Sequence, residues 1–473
     1  MMFQTLSHAG MRVCADGKEL LFDPWIIGSV YWRSWWNYPP VPKSLVEELR
    51  PDFIYLTHLH WDHFQAASLG RFPDDVQMLV PYDRHGRMTK DLADIGKTNV
   101  RELRHGERVE LGKDFALTSY HIGPFVTDSA VVVEADGKVL LNANDAKFAG
   151  APLRQIKQQF PEIDFCFRSH SSANSRMCYH YLDVPDKETD DQEHYLRSFY
   201  LFMKSVKPRY AIPFASNNCH LHDDVFEYNQ HIQTPDIVRN YFTERAKEDD
   251  LETEIKVMIP GDSWSDDNGF ALQDHDYFSN RQEHLQAYRE RVSGALEKQR
   301  KKEAQVKVNL PMMRKFMAQL SQDCPALLLR PLKGREVLIV ARSDRGDSAF
   351  AVDLYAGKVE QVLVDNIDDY TMRIEFPAII LVQSITMNMF GHASISKRVH
   401  YYATQADMPL LQRFVAILEW KEAEVIPIRN HLSGRTVRAA LPRWREGLLY
   451  SQVILDRLRG RDFIEIEERL LAS

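Results

Sequence analysis

The sequence predicts an α/β protein in two parts: a larger N-terminal unit of sheets covered by helices, then a smaller α/β unit. Three observations carry this. Short β-rich runs, punctuated by turn signals, recur through the first half. Stretches of helix-forming character lie between them. A chain of 473 residues is also too long to close around one compact core.

Taken in order, "MRVCADGKELLFDPW" is two apolar runs joined at Asp16-Gly17, a hairpin signal. "DFIYLTHLH" is a short β-rich run ending in histidines. "FALTSYHIG" and "YAIPFAS" have the same strand character, and "SAVVVEADGKVLLNAND" is a second hairpin around Asp136-Gly137. "DKETDDQEHYLRSFYLFMKSV" reads as a helix. These elements fill a first unit, residues 1–276. Residues 277–307, with "RQEHLQAYRERVSGALEKQRKKEAQVK", read as a charged, solvated linking helix. In residues 308–473, "REVLIVARSD", "SAFAVDLYAGKVEQVLVD" and "DYTMRIEFPAIILVQSI" read as strands. "MPLLQRFVAILEWKEAEV" and "GLLYSQVILDRLRG" in the same unit read as helices.

Composition excludes several function classes. With 44% hydrophobic and 27% charged residues the chain is an ordinary soluble globular protein. A formal net charge of −8 argues against a general nucleic-acid binder. No apolar run approaches the roughly 20 residues that span a bilayer, and the N-terminus lacks the pattern of a secretory signal. Five scattered cysteines read as reduced thiols of a cytoplasmic protein. None has zinc-finger or iron–sulfur spacing, so a metal would need other ligands.

Such ligands are present. In "YLTHLHWDHF", His58, His60, Asp62 and His63 follow a strand-like run. Residues two apart in an extended segment share a side, so His58 and His60 point together. Imidazole and carboxylate are the ligands that zinc, iron and manganese accept. The H-x-H-x-D-H order is far more specific than any single histidine.

This motif at a strand end resembles the hallmark of the metallo-β-lactamase superfamily. The resemblance covers about the first 270 residues and implies a four-layer αβ/βα sandwich with one or two metal ions at the sheet edges. It further implies His121 as a later ligand, Asp145 as a bridging aspartate, and His220 or His222 as the last histidine, with His170 a competitor for that role. One metal ion would take His58, His60 and His121. The other would take Asp62, His63 and His220 or His222, with Asp145 between them. Asp62 and Asp145 would also carry the catalysis. His8 matches a position near the metal-facing edge in relatives and reads equally as a loop histidine.

Five further segments, "LLFDPW", "YWRSWWNYPP", "NANDAKF", "KPRYAIPFASNNCHLHDDVFEYN" and "IPGDSW", resemble the branch related to CMP-N-acetylneuraminate hydroxylase. That family carries a Rieske iron–sulfur domain ahead of its lactamase-like part. Here the lactamase-like part begins at the second or third residue, so electrons would come from a separate donor or from the substrate itself. The expected activity is di-iron oxygenation of a small, polar, anionic metabolite. The alternative is hydrolysis of a phosphodiester, lactone or similar ester by zinc or manganese, whose bound water ionises near pH 7. A ligand set without thiolate suits iron and zinc alike.

Aromatic residues of "YWRSWWNYPPVP", Trp35 and Trp36 among them, read as a substrate-pocket wall or as a packed plug. Lys147, Arg168 and Arg176 lie just past expected active-site strands, and Arg168 and His170 are candidates to hold the substrate. Residues 308–473 carry no cluster of titratable groups at a recognisable spacing. Their expected roles are dimerisation or closure over the active site.

Overall fold

A computed structural model of the chain describes residues 1–123, 126–171, 173, 175–187, 192–444, 446–447, 452–453, 456 and 463–472. Two sheets form its centre. One has eight strands, running outward from the hairpin Met11–Ala15/Lys18–Phe22 through Phe53–Tyr55 and Gln77–Pro81 to Val100–Leu103. The other has seven, with Phe115–Gly123, Val126–Ala135 and Lys138–Asn144 as its antiparallel middle. Both expected hairpins form, with Asp16, Gly17, Asp136 and Gly137 all at positive φ. Asp-Gly supplies the two left-handed residues such a tight turn requires.

The sheets pack face to face through Phe3, Val13, Phe22 and Leu79 from one and Leu117, Val133, Phe165 and Phe214 from the other. The outer face of the first is covered by the helices Lys43–Glu48, Ala66–Leu69 and Arg87–Asp94, through Leu45, Leu69, Met88 and Leu92. The outer face of the second is covered by Gly150–Gln159, Gln192–Val206 and Pro235–Glu248, through Ile156, Phe202, Met203 and Phe242. Each strand therefore alternates between two apolar layers. The result is the four-layer αβ/βα sandwich that the resemblance implies.

The C-terminal part builds a six-stranded sheet in the order Tyr179–Tyr181, His400–Ala403, Met372–Pro377, Val337–Arg342, Ser348–Asp353, Lys358–Val362. Its first strand comes from the N-terminal part and pairs parallel with His400–Ala403. The core behind this sheet also takes in Trp25, Tyr31, Trp32 and Trp35. Segments 1–276 and 308–473 thus share a sheet and a core.

Two sequence expectations need correction. The run "DYTMRIEFPAIILVQSI" is strand only to Pro377; Ala378–Met387 is a helix. A short, fully buried apolar run has no alternation to separate helix from strand. The charged segment is two helices, Arg281–Arg291 and Ser293–Glu303, meeting at Val292. It is not wholly solvated, because Leu285 and Leu296 are buried against Trp36, Tyr38 and Leu221. The helix expected over 447–460 falls mostly outside the described residues.

Candidate metal centre

The strand Phe53–Tyr55 ends just before Thr57, and the chain then turns on itself, with the amides of His63 and Phe64 donating to the carbonyl of His60. The turn folds the motif into two clusters. In one, Nε2 of His58 lies 2.8 Å from Nδ1 of His60 and 3.8 Å from Oδ2 of Asp145. In the other, Oδ2 of Asp62 lies 3.1 Å from Nε2 of His8 and 3.5 Å from Nε2 of His63. The second oxygen of Asp145 is 3.4 Å from Nε2 of His63, so one carboxylate faces both clusters.

The sequence reading gave Asp23, of "FDPW", no role. Its carboxylate is fully buried and accepts from the Thr57 amide at 2.8 Å, the Thr57 hydroxyl at 2.7 Å and Nδ1 of His63 at 2.8 Å. That leaves Nε2 of His63 to face Asp62 and Asp145. A carboxylate behind a histidine fixes both tautomer and ring angle in metal sites. Tyr31 donates its hydroxyl to Oδ1 of Asp62, pinning the second cluster from the other side.

Electrostatics in the cluster is one-sided. Burial disfavours charge on His63, yet Asp145, Asp62 and Asp23 outweigh it and hold its pKa well above the ordinary value. Burial would raise Asp62, but His63 and His8 hold it well below the usual carboxylate range. Asp145 is depressed against the same penalty by His63 and His58. Burial, then His58 and His392, push His60 down to about 3, so its ring is neutral and available as a ligand. Asp128 was not singled out in the sequence. Burial holds it above the usual range, and the charges of His58, Asp145 and His63 act on it. Four carboxylates, Asp23 and Asp62 buried and Asp128 and Asp145 half-buried, crowd one site and call for compensating positive charge. Nε2 of His63, Oδ1 of Asp145 and Nδ1 of His8 are buried without hydrogen-bond partners among the described residues. Nitrogen and oxygen donors left orphaned around shared carboxylates fit divalent transition-metal ions.

Other expected residues lie elsewhere. His121 belongs to neither cluster; it packs beside His105, ring centroids 5.8 Å apart, and lines another cavity. His222 caps the turn that follows it by accepting from the Asp224 amide at 3.3 Å, and its Nε2 is 3.8 Å from Glu303. His220 is fully buried under Trp35, ring centroids 5.6 Å apart, because its strand pairs with Trp35–Asn37. Trp35 also touches His8, at 6.0 Å. His170 is fully buried and feels His8; burial, with that neighbour adding to it, drops its pKa to about 3. Both nitrogens of His170 and of His220 lack partners among the described residues.

The substrate expectations for Arg168 and Trp36 do not survive. Arg168 is fully buried and ion-paired with Glu467 at 2.9 Å, its guanidinium over the Phe202 ring. Trp36 packs against Tyr288 on the far side of the loop, and Trp35 is a core plug. Tyr31, Trp32, Trp61 and Phe64 do line open space, in a cleft of about 740 Å³ that also holds Arg33, Arg87, Asp91, Asp94 and His392. Arg87 and His392 continue into a cavity of about 410 Å³ against His58, His60 and Asp128. His392, contributed by the C-terminal part, has its Nδ1 on Glu422 and its ring 5.6 Å from His60.

No family model matches the chain. In sequence it is related to cytidine monophosphate-N-acetylneuraminic acid hydroxylase of Mus musculus, 30% identical over 147 residues, or 30% of this chain and 25% of that protein. The inactive cytidine monophosphate-N-acetylneuraminic acid hydroxylase of Homo sapiens is 30% identical over the same length, 29% of its own. The match thus spans about a quarter of the length of these curated relatives. Among solved structures, the isothiocyanate hydrolase from Delia radicum gut bacteria is 15% identical over 57% of this chain and 100% of its own, with a TM-score of 0.40. CmlA, a diiron β-hydroxylase from Streptomyces venezuelae, is 14% identical over 55% of this chain and 53% of its own, with a TM-score of 0.38. No helix among the described residues is long and apolar enough to cross a membrane.

Proposed function

We propose that this relative of the CMP-N-acetylneuraminic acid hydroxylases is a binuclear-metal oxygenase acting on a small, polar, anionic metabolite. The observation that carries the reading is Asp145, whose two oxygens face separate His/Asp clusters. His58, His60 and Asp145 would hold one metal ion; His8, Asp62 and His63 would hold the other, with Asp145 shared. When bound, iron in such a nitrogen–oxygen cage supplies O₂ activation. The protein's own residues do the rest. Asp23 fixes the His63 ring, and Tyr31 holds Asp62. Tyr31, Trp32 and Trp61 wall the approach with apolar surface, which keeps water out. Arg33 and Arg87 line that cleft beside Asp91 and Asp94, with Arg87 paired to Asp91 at 3.7 Å, so Arg33 is the cation there that an anionic substrate would meet.

The second reading is hydrolysis by zinc, which the same ligand types support. Purified protein is expected to hold about two transition-metal ions per chain, and His58→Ala/His60→Ala is expected to lose at least one while staying folded. Anaerobic loading with Fe(II) should give a di-iron spectrum that changes on exposure to O₂. An iron form inert to O₂, beside a zinc form that cleaves phosphodiesters or lactones, would overturn oxygenation and leave the hydrolase.

A further inference from the structure

A second cavity, of about 350 Å³, lies where the C-terminal segment lies over one edge of the sandwich. Tyr82, Arg104 and His121 line it from the sandwich, Arg438 and Arg443 from the segment after Gly434. None of them belongs to the two His/Asp clusters. We propose that this cavity binds the phosphate group of a small phosphorylated metabolite, apart from the metal centre.

Charge is the first ground. The lining holds four arginines, Arg84, Arg104, Arg438 and Arg443, against two carboxylates, Asp83 and Glu446. Both carboxylates are already engaged. Asp83 accepts the backbone amides of His85 at 2.6 Å and Gly86 at 2.7 Å, and Glu446 holds Arg443 through its Nε at 2.7 Å. Arg84 is turned to His85 and to the carbonyl of Ala423. Arg104 and Arg438 remain; both are exposed, and neither guanidinium has an ion pair among the described residues. One comes from the sandwich and the other from the C-terminal segment.

The second ground is independent of net charge. Nε2 of His121, in a residue only 6% exposed, and the buried hydroxyl of Tyr82 have no hydrogen-bond partner among the described residues. Both residues line this cavity. An orphaned polar atom costs roughly 1–3 kcal/mol where nothing satisfies it, so the Tyr82 hydroxyl is a donor in want of an acceptor in this wall, while the neutral His121 ring, bonded to the Leu103 backbone, offers an acceptor. Donors on several sides suit a tetrahedral oxyanion, whose oxygens point in all directions. A planar carboxylate is satisfied by a single in-plane fork. The volume sits at the lower end of the range for small-molecule sites, roughly 300–1,000 Å³, which leaves room for a few carbons beyond the phosphate.

The test is calorimetric titration of the metal-loaded full chain at fixed ionic strength. The probes are inorganic phosphate and glycerol 1-phosphate, with glycerol and sodium acetate as comparisons. Phosphate also seeks metal ions, so the titration is repeated on His58→Ala/His60→Ala and on Arg104→Ala/Arg438→Ala, which alters only exposed side chains. Glycerol 1-phosphate binding should persist in the histidine variant. It should weaken at least about tenfold in the arginine variant, as expected when charge-assisted hydrogen bonds are removed. Unchanged binding in the arginine variant, loss in the histidine variant, acetate binding as tight as phosphate, or no binding at all would each overturn the proposal.

Discussion

His63 cannot be understood without Asp23, forty residues earlier. The histidine carries the motif, but the buried aspartate decides which nitrogen faces Asp62 and Asp145. Asp23→Asn keeps the shape and removes the charge behind the ring. It is expected to weaken metal binding by roughly 10–100-fold with little change in fold, measured by competition against a chelator. Glu419, on the cavity wall beside Ser394, poses a different residue-scale question. Burial, helped by Glu422, raises its pKa to about 7. A carboxyl that is protonated in the fold and ionised in the unfolded chain stabilises the fold fully below about pH 4.5. That contribution fades as pH rises through about 7. Glu419→Gln should therefore flatten the loss of stability between pH 5 and pH 8, by at most on the order of 2–3 kcal/mol, read from denaturant midpoints at the two pH values.

At the scale of elements, the helix Phe463–Ala472 returns to the sandwich from the far end of the chain. Ile466 and Leu471 are buried, and Glu467 meets both Arg168 and the Ser198 hydroxyl, the latter at 2.8 Å. Burial would raise the Glu467 pKa, but Lys147 and Arg168 hold it below the usual range. The pair's stabilisation is thus present above about pH 4.5 and lost on acidification through the lowered value. Removing one partner of a buried pair leaves a bare charge, at a cost of about 3–5 kcal/mol. Arg168→Met should lower the denaturant midpoint accordingly and open the last helix to proteolysis. A substrate-binding arginine would instead have shown a changed affinity with stability intact.

For the whole molecule, the shared core has a direct consequence. Residues 1–276 alone would expose Trp25, Tyr31, Trp32 and Trp35, which pack with residues from 308 onward. They would also leave Tyr179–Tyr181 without its partner strand and the metal cavity without His392 and Glu422. Arg398 adds a buried tie, bonding Glu303 through two nitrogens at 2.7 Å each and Asp224 at 2.8 Å. The intact chain should therefore unfold in one calorimetric transition. The 1–276 fragment should aggregate or bind a hydrophobic dye. Two well-separated transitions would show that the parts are independent.

The sequence by itself determined the local chemistry and the local turns. Asp-Gly pairs can only close tight hairpins at Asp16 and Asp136, and H-x-H-x-D-H is too specific to be a loop ornament. Sheets covered by helices are legible in the strand and helix patterns along residues 1–276, whereas the four layers are what the family resemblance implies. Tertiary structure decided which distant residues complete the site. His8, in the loop between Met2–Thr5 and Met11–Ala15, and Asp23, just after Lys18–Phe22, carry no spacing to the motif and reach it because their flanking strands lie in the same sheet as Phe53–Tyr55. His121 and His222 have suitable side chains, but His121 lines a different cavity and His222 is spent on a cap. Arg168 looked free for substrate until Glu467, 299 residues away, claimed it. Periodicity and spacing report neighbours along the chain, whereas burial and charge pairing are settled between elements that meet only in the folded molecule.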